Sequence, residues 1–196
     1  MFISKPFMIE FSGTPEAGKT TTIYKLANML RNENYNVEVL RESAELLPAE
    51  MPKGTFDANM WMHLTTQAGI LRAVYSKANI VLIDRGLIDS EFYGQKYLTE
   101  KTCSKTQYDK FKNMFLKELM PDLFIAMMVT PEEAIKRRGG EGKLVNKEYI
   151  QMYNKLYLGF FSKIETPKEL IITNKLLPCE MSKKVLDVIS KYLPWN

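Results

Sequence analysis

Residues 13 to 20 read Gly-Thr-Pro-Glu-Ala-Gly-Lys-Thr. They satisfy the spacing G-x-x-x-x-G-K-[ST] at every fixed position. The segment breaks an apolar run, FMIEF at 7–11. It precedes a stretch from Lys19 to about Asn32 with Ile23, Leu26, Ala27 and Leu30 on one helical face. Two glycines and a proline pack a core poorly. They suit a backbone that wraps an anion closely, with N–H groups turned inward and the positive end of a helix dipole behind them. Gly13, Thr14, Pro15, Glu16, Ala17, Gly18, Lys19, Thr20 and Thr21 are therefore assigned to a triphosphate cradle. Lys19 would bridge the β- and γ-phosphates of a nucleoside triphosphate, and Thr20 would hold Mg2+. A chance match on a structural turn is the alternative, and the strand–loop–helix context counts against it.

Further candidates follow other apolar runs. Asp84 ends IVLID (80–84) and is placed as the second magnesium ligand, directly or through water, with helix capping as the bland alternative. Arg85 suits a bidentate clamp on an oxyanion, or else an exposed ion pair. Arg41 and Glu42 follow VEVL (37–40). A carboxylate at 42 would take the proton of a hydroxyl acceptor. A monophosphate acceptor is already ionised and needs cations to offset its repulsion with the γ-phosphate. The pair fits both chemistries, and a solvent-facing carboxylate is the third reading. Arg137-Arg138-Gly139-Gly140-Glu141-Gly142-Lys143 sets three glycines within four positions between basic residues. It reads as a mobile lid over about 137–145, with Arg137 or Arg138 brought to the charge of the transferring group. A glycine helix stop after a basic last turn is the alternative.

These residues need elements to hold them. Strands are expected at 7–11, 37–40, 80–84, 123–129 and 169–173. Helices are expected at 19–32, 56–77, 87–98, 107–120, 131–138, 146–163 and 181–192. Alternating strands and helices with short connections imply a parallel sheet covered on both faces. Ligands of such sheets bind beyond the carboxyl ends of the strands, where the candidates lie. The expectation is one α/β domain over 1–196.

Composition narrows the function classes. The net charge of +4 is spread along the chain and suits a small anionic ligand rather than nucleic acid. Two cysteines, Cys103 and Cys179, lack metal-ligand spacing, and a reducing, cytoplasmic setting fits them. No apolar run approaches membrane-spanning length, and the first residues do not form a signal peptide. A guanine-reading Asn-Lys-x-Asp motif is missing, since Asn174-Lys175 has no aspartate two residues later.

GTPEAGKTT, the strand-end IDRG and PEEAIKRRGGEGK together resemble the thymidylate kinase and deoxynucleoside kinase branch of P-loop kinases. The resemblance implies a three-layer α/β/α fold with a five-stranded parallel sheet and a lid. It implies phosphoryl transfer from ATP to a nucleoside monophosphate or nucleoside, and a homodimer. Asp84-Arg85 looks like the Asp-Arg pair of thymidylate kinases, where the arginine meets the acceptor's phosphate. Arg41-Glu42 aligns with their Arg-Glu-Pro and also with the general-base glutamate of deoxynucleoside kinases. Gly86 fits neither branch closely, and RESAELLP lacks the Pro-Gly-Gly of thymidylate kinases. By family position, the helix at 56–77 holds the acceptor base, which makes Trp61 a stacking candidate and Gln67 an edge-reading one. His63 reads as structural. Phe92 and Tyr93 are further pocket candidates, and Asn174 and Lys175 border the adenine. A P-loop ATPase or switch, and a kinase of another small hydroxyl-bearing acceptor, stand as alternatives.

Overall fold

The structure is a computed structural model that describes residues 5–143 and 145–194. Five strands form one all-parallel sheet: β1 (Phe7–Gly13), β2 (Val37–Leu40), β3 (Ile80–Asp84), β4 (Leu123–Met128) and β5 (Lys168–Ile172), in the order β2-β3-β1-β4-β5. β1, β3 and β4 are almost wholly buried on both faces, as central parallel strands must be. Among the described residues, seven α-helices connect or flank them: α1 (Lys19–Asn32), α2 (Phe56–Val74), α3 (Leu87–Thr99), α4 (Lys105–Lys112), α5 (Pro131–Arg138), α6 (Lys147–Phe161) and α7 (Pro178–Ile189).

Alternation along β1 decides what each face meets. Ile9 and Phe11 pack with Ile23, Leu26 and Leu30 of α1 and Val185 and Ile189 of α7. Met8 points to the opposite face, with Val81, Ile83 and Ile70 of α2. Further along that second face, Phe124, Ala126 and Met128 meet Ile88 and Phe92 of α3 and Tyr153 and Tyr157 of α6. The strand order reverses direction around β1, so the loop after β1 opens at the sheet's switch point. Among the described residues, no helix is long and apolar enough to cross a membrane.

The expected elements form, with shifts at their ends. α2 stops at Val74 rather than Lys77, where the chain turns through a left-handed Lys77. The helix expected over 107–120 is instead α4, which begins two residues earlier and ends at Lys112. Ser104 caps it: its hydroxyl accepts the Gln107 N–H, and the Gln107 amide oxygen accepts the Ser104 N–H. Beyond it, Gln67 of α2 holds the backbone, donating to the Met114 carbonyl at 3.0 Å and accepting the Leu116 N–H at 3.3 Å. Those bonds replace helical ones, and only a short 3-10 turn, Lys117–Leu119, follows. α7 starts at Pro178, three residues before the expected Met181, because proline is at ease in a first helical turn.

Candidate functional site

The phosphate loop hangs from the end of β1. Gly13 has φ +121°, and a Cβ there would lie 2.0 Å from the Met127 carbonyl oxygen of β4, so no other residue fits. That same carbonyl accepts the Thr14 N–H at 3.0 Å, which anchors the loop to the neighbouring strand. Lys19 is buried, and its ammonium donates to the carbonyls of Thr14 at 2.8 Å and Gly13 at 3.3 Å. Burial, followed by the nearby Arg85 guanidinium, pushes it down to about 7, against the pull of Asp84, Glu42 and Asp89. A polyanion against the loop would restore the ammonium, so the site is built for negative charge.

The side chains of Thr20 and Asp84 meet beside the loop. The Thr20 hydroxyl donates to Asp84 Oδ2 at 2.5 Å. Asp84 Oδ1 is buried with no hydrogen-bond partner among the described residues. An orphaned carboxylate oxygen beside a hydroxyl suits a hard divalent cation, which takes few protein ligands and completes its shell with water and phosphate oxygens. The residues therefore fit Mg2+.

Beside the loop lies a cavity of about 550 Å3. Pro15 and Glu16 form one wall, Ser43, Asn59, Met62 and Thr66 another, and Ser90, Tyr93, Tyr97, Arg138 and Tyr149 close it. Arg85 stands between cavity and loop. Its Nε is 3.1 Å from Glu42 Oε1, its Nη1 lies 3.1 Å from Asp89 Oδ1, and its Nη2 donates to the Gly13 carbonyl at 3.4 Å. Arg85 also has a left-handed backbone, φ +56°, a strain of order 1 kcal/mol that such sites tolerate. Burial raises the Glu42 carboxyl above its ordinary range, with Asp84 and Asp89 adding to the rise and Arg85 and Lys19 opposing it. Asp89 further accepts from the Ser12 hydroxyl.

Not every candidate reaches the site. Arg41 is exposed and lines a separate hollow with Leu46 and Arg72, so the strand end sends Glu42 inward and Arg41 away. Gln67 spends its amide on Met114, Leu116 and His63 and does not line the cavity. Trp61 does not line it either, whereas Asn59 and Met62 of the same helix do. Phe92 is core, packed edge-on against Tyr153 and Tyr157, while Tyr93 faces the cavity. Of the two arginines, Arg138 lines the cavity. Arg137 instead ties the end of α5 to the phosphate loop and to the chain after β5, donating to the Glu16 carbonyl at 3.1 Å and to the Thr173 carbonyl at 2.5 Å. Asn174 accepts the Thr130 N–H at 2.9 Å at the end of β5. Leu144, within the expected lid, lies outside the described residues.

His63 is structural, as expected. Gln67 Nε2 donates to its Nε2, and its Nδ1 sits 2.9 Å from the Ser90 hydroxyl, which donates in turn to the Leu87 carbonyl. Burial pushes the imidazole down from 6.5 to about 4. The unfolded chain takes up the proton below 6.5 and the folded chain only near 4, so this contribution to stability is lost as pH falls through that window. His63 is the one histidine of the chain, so a single imidazole resonance should stay neutral at pH 5.5 in an NMR titration. Protonation near 6.5 would contradict the assignment.

Asp89, Asn59, Ser90 and Tyr149 were not among the sequence candidates. Asp89 had a usable signal, since it lies one helical turn after Arg85, the spacing of an i,i+4 ion pair. The others are polar residues on helix faces that only tertiary packing turns toward the cavity.

No protein-family model matches the chain. A thymidylate kinase of Thermoanaerobacter sp. (strain X514) is 28% identical over 201 residues, covering 94% of this chain and 98% of that protein. The thymidylate kinase of Caldanaerobacter subterraneus subsp. tengcongensis is 26% identical, covering 94% and 95%. Among solved structures, a deoxyadenosine kinase from M. mycoides with bound dATP superposes with a TM-score of 0.70 at 20% identity, covering 94% of this chain and 99% of that one. The same enzyme with dCMP and dCDP bound gives 0.71 at 19% identity. These structures share the fold: five parallel strands between helical layers. The resemblance carried by the three motifs thus extends along nearly the whole chain.

Proposed function

We infer that the chain, similar to thymidylate kinases over 94% of its length, is a nucleoside or nucleotide kinase that moves the γ-phosphoryl group of ATP to a small acceptor in the cavity. The observation that carries this is the place of Arg85. One side chain touches the Gly13 carbonyl of the phosphate loop and two carboxylates of the acceptor cavity.

The chain's residues divide the work. The backbone N–H groups of the loop and Lys19 hold the donor phosphates. Thr20 and Asp84 would hold Mg2+, which neutralises charge on the phosphate oxygens when bound. Arg85 and Arg138 lie where charge spreads during transfer, and their guanidiniums stabilise it without reorganising. Tyr93, Tyr97 and Met62 offer apolar surface to a base.

Kinship with thymidylate kinases favours a monophosphate acceptor. A second reading, a nucleoside hydroxyl acceptor, is favoured by Glu42. It faces the cavity with a raised carboxyl, while of the two cations expected at an acceptor phosphate Arg85 lines the cavity and Arg41 points away. Glu42→Gln separates them. For a hydroxyl acceptor, kcat should fall about 100-fold, the usual worth of a general base. The wild-type rate should then drop on acidification through a value above the ordinary carboxylate range, because only the ionised form accepts the proton. For a monophosphate acceptor, the variant should keep kcat within about threefold.

The same kinship implies a homodimer in the cytoplasm. Exposed Leu64 and Leu71 on α2, with Tyr75 just after it, supply apolar surface for such an assembly. Light scattering on the purified protein reads its mass directly.

A further inference from the structure

Glu10 is the one charged residue of β1, and it is wholly buried. A carboxylate in that position is costly unless its oxygens are satisfied. They are satisfied by backbone alone. Oε1 accepts the N–H of Gly86 at 3.1 Å and of Asp89 at 2.8 Å, and Oε2 accepts the N–H of Ile88 at 3.1 Å. Ile88 and Asp89 are first-turn donors of α3, Gly86 is the residue that precedes it, and the helix lacks a side-chain cap of its own. Position 86 explains the fit. A Cβ there would lie 2.5 Å from Glu10 Oε2, so the carboxylate occupies the space that any other residue would need. Gly86, which fits neither family pattern, is the counterpart of Glu10.

The turn so held is the one that builds the cavity. Arg85 precedes it in a strained left-handed conformation, its N–H donated to the Phe11 carbonyl at 2.9 Å. Asp89 and Ser90 follow it and line the cavity. Phe11 and Glu10 are neighbours on β1, and the phosphate loop begins three residues after Glu10. We propose that Glu10, with Gly86, is a positioning residue that fixes Arg85, Asp89 and Ser90 against the phosphate loop and so sets the geometry between donor and acceptor. Burial raises the Glu10 carboxyl to about 8, and the N–H groups of Asp89, Ile88 and Gly86 pull against that rise. The proposal rests on reading the cavity as the acceptor site.

Three variants test it: Glu10→Gln, which keeps the shape but turns an NH2 toward a backbone N–H, Gly86→Ala, and the double variant. Amide exchange at 86, 88 and 89 should speed up about tenfold in each single variant, with the rest of the sheet unchanged. The Kd for a non-hydrolysable ATP analogue should stay within about twofold, while kcat/KM for the acceptor falls about tenfold or more. The double variant should be no worse than the poorer single one, because both break the same contact. Faster exchange with unchanged kcat and KM would overturn the proposal, leaving a helix cap only. Unchanged exchange, or equal losses that add in the double variant, would overturn it too. Should the wild type transfer phosphate to no acceptor, the kinase reading falls on its own. The exchange arm still decides, since protection retained in Glu10→Gln would show that Glu10 does not hold the turn.

Discussion

Arg85→Ala is expected to lower kcat/KM for the acceptor about 1,000-fold, or about 4 kcal/mol of transition-state stabilisation. Three losses combine. The charge facing the transferring group disappears. Glu42 and Asp89 lose their shared cation and, with Asp84, leave three carboxylates beside Lys19 alone, a field that repels an incoming phosphate. Asp89, buried and left with the Ser12 hydroxyl, becomes an uncompensated charge, so the fold should weaken by about 3 kcal/mol. Steady-state kinetics with urea unfolding would read both effects. Arg85→Lys keeps the charge but cannot reach Glu42, Asp89 and Gly13 together, and should recover only part of the rate. Activity within about threefold of wild type in Arg85→Ala would remove Arg85 from the mechanism.

Lys19→Met should cost more in rate, about 10,000-fold in kcat, while making the protein more stable. The sign follows from the lysine's environment. Its ammonium is pushed down to about 7 by burial and Arg85, so the unfolded chain binds the proton more firmly than the folded one. Folding stability therefore rises with pH between about 7 and the ordinary lysine value of 10.5. A methionine of similar length removes that penalty. Thermal unfolding at pH 7 should show a higher Tm for the variant, alongside the lost activity. A lower Tm would mean that Lys19 is held by Asp84, Glu42 and Asp89 more strongly than burial opposes it. A retained rate would mean that the loop does not bind the transferring phosphates.

Much of this was legible in the chain because the signals were local. The phosphate loop is contiguous, its strand and helix flank it, and Asp84 ends an unmistakable buried strand. α1, β2, β3 and α5 occupy the spans that periodicity assigns them. What sequence could not give was direction. Arg41 and Glu42 are adjacent at a strand end, and consecutive side chains diverge there, so only one could enter the cavity. Gln67 carries the chemistry to read a base, yet packing commits it to the 114–116 backbone. Arg137 and Arg138 share a motif, but a residue of helical rotation sends one to the loop and the other to the cavity. Glu10 did carry a signal that went unread: a lone carboxylate inside a strand buried on both faces must be answered by something, and the answer was the first turn of α3.

The most direct test is transfer itself. Protein, Mg2+ and ATP labelled at the γ-phosphate are incubated with nucleosides, deoxynucleosides or their monophosphates, and with no acceptor, and the products are separated. A kinase puts the label on an acceptor and leaves little free phosphate in the blank, and that is the expected result. Phosphate release that is the same with and without every acceptor, and no labelled acceptor, would contradict it and make the chain an ATPase.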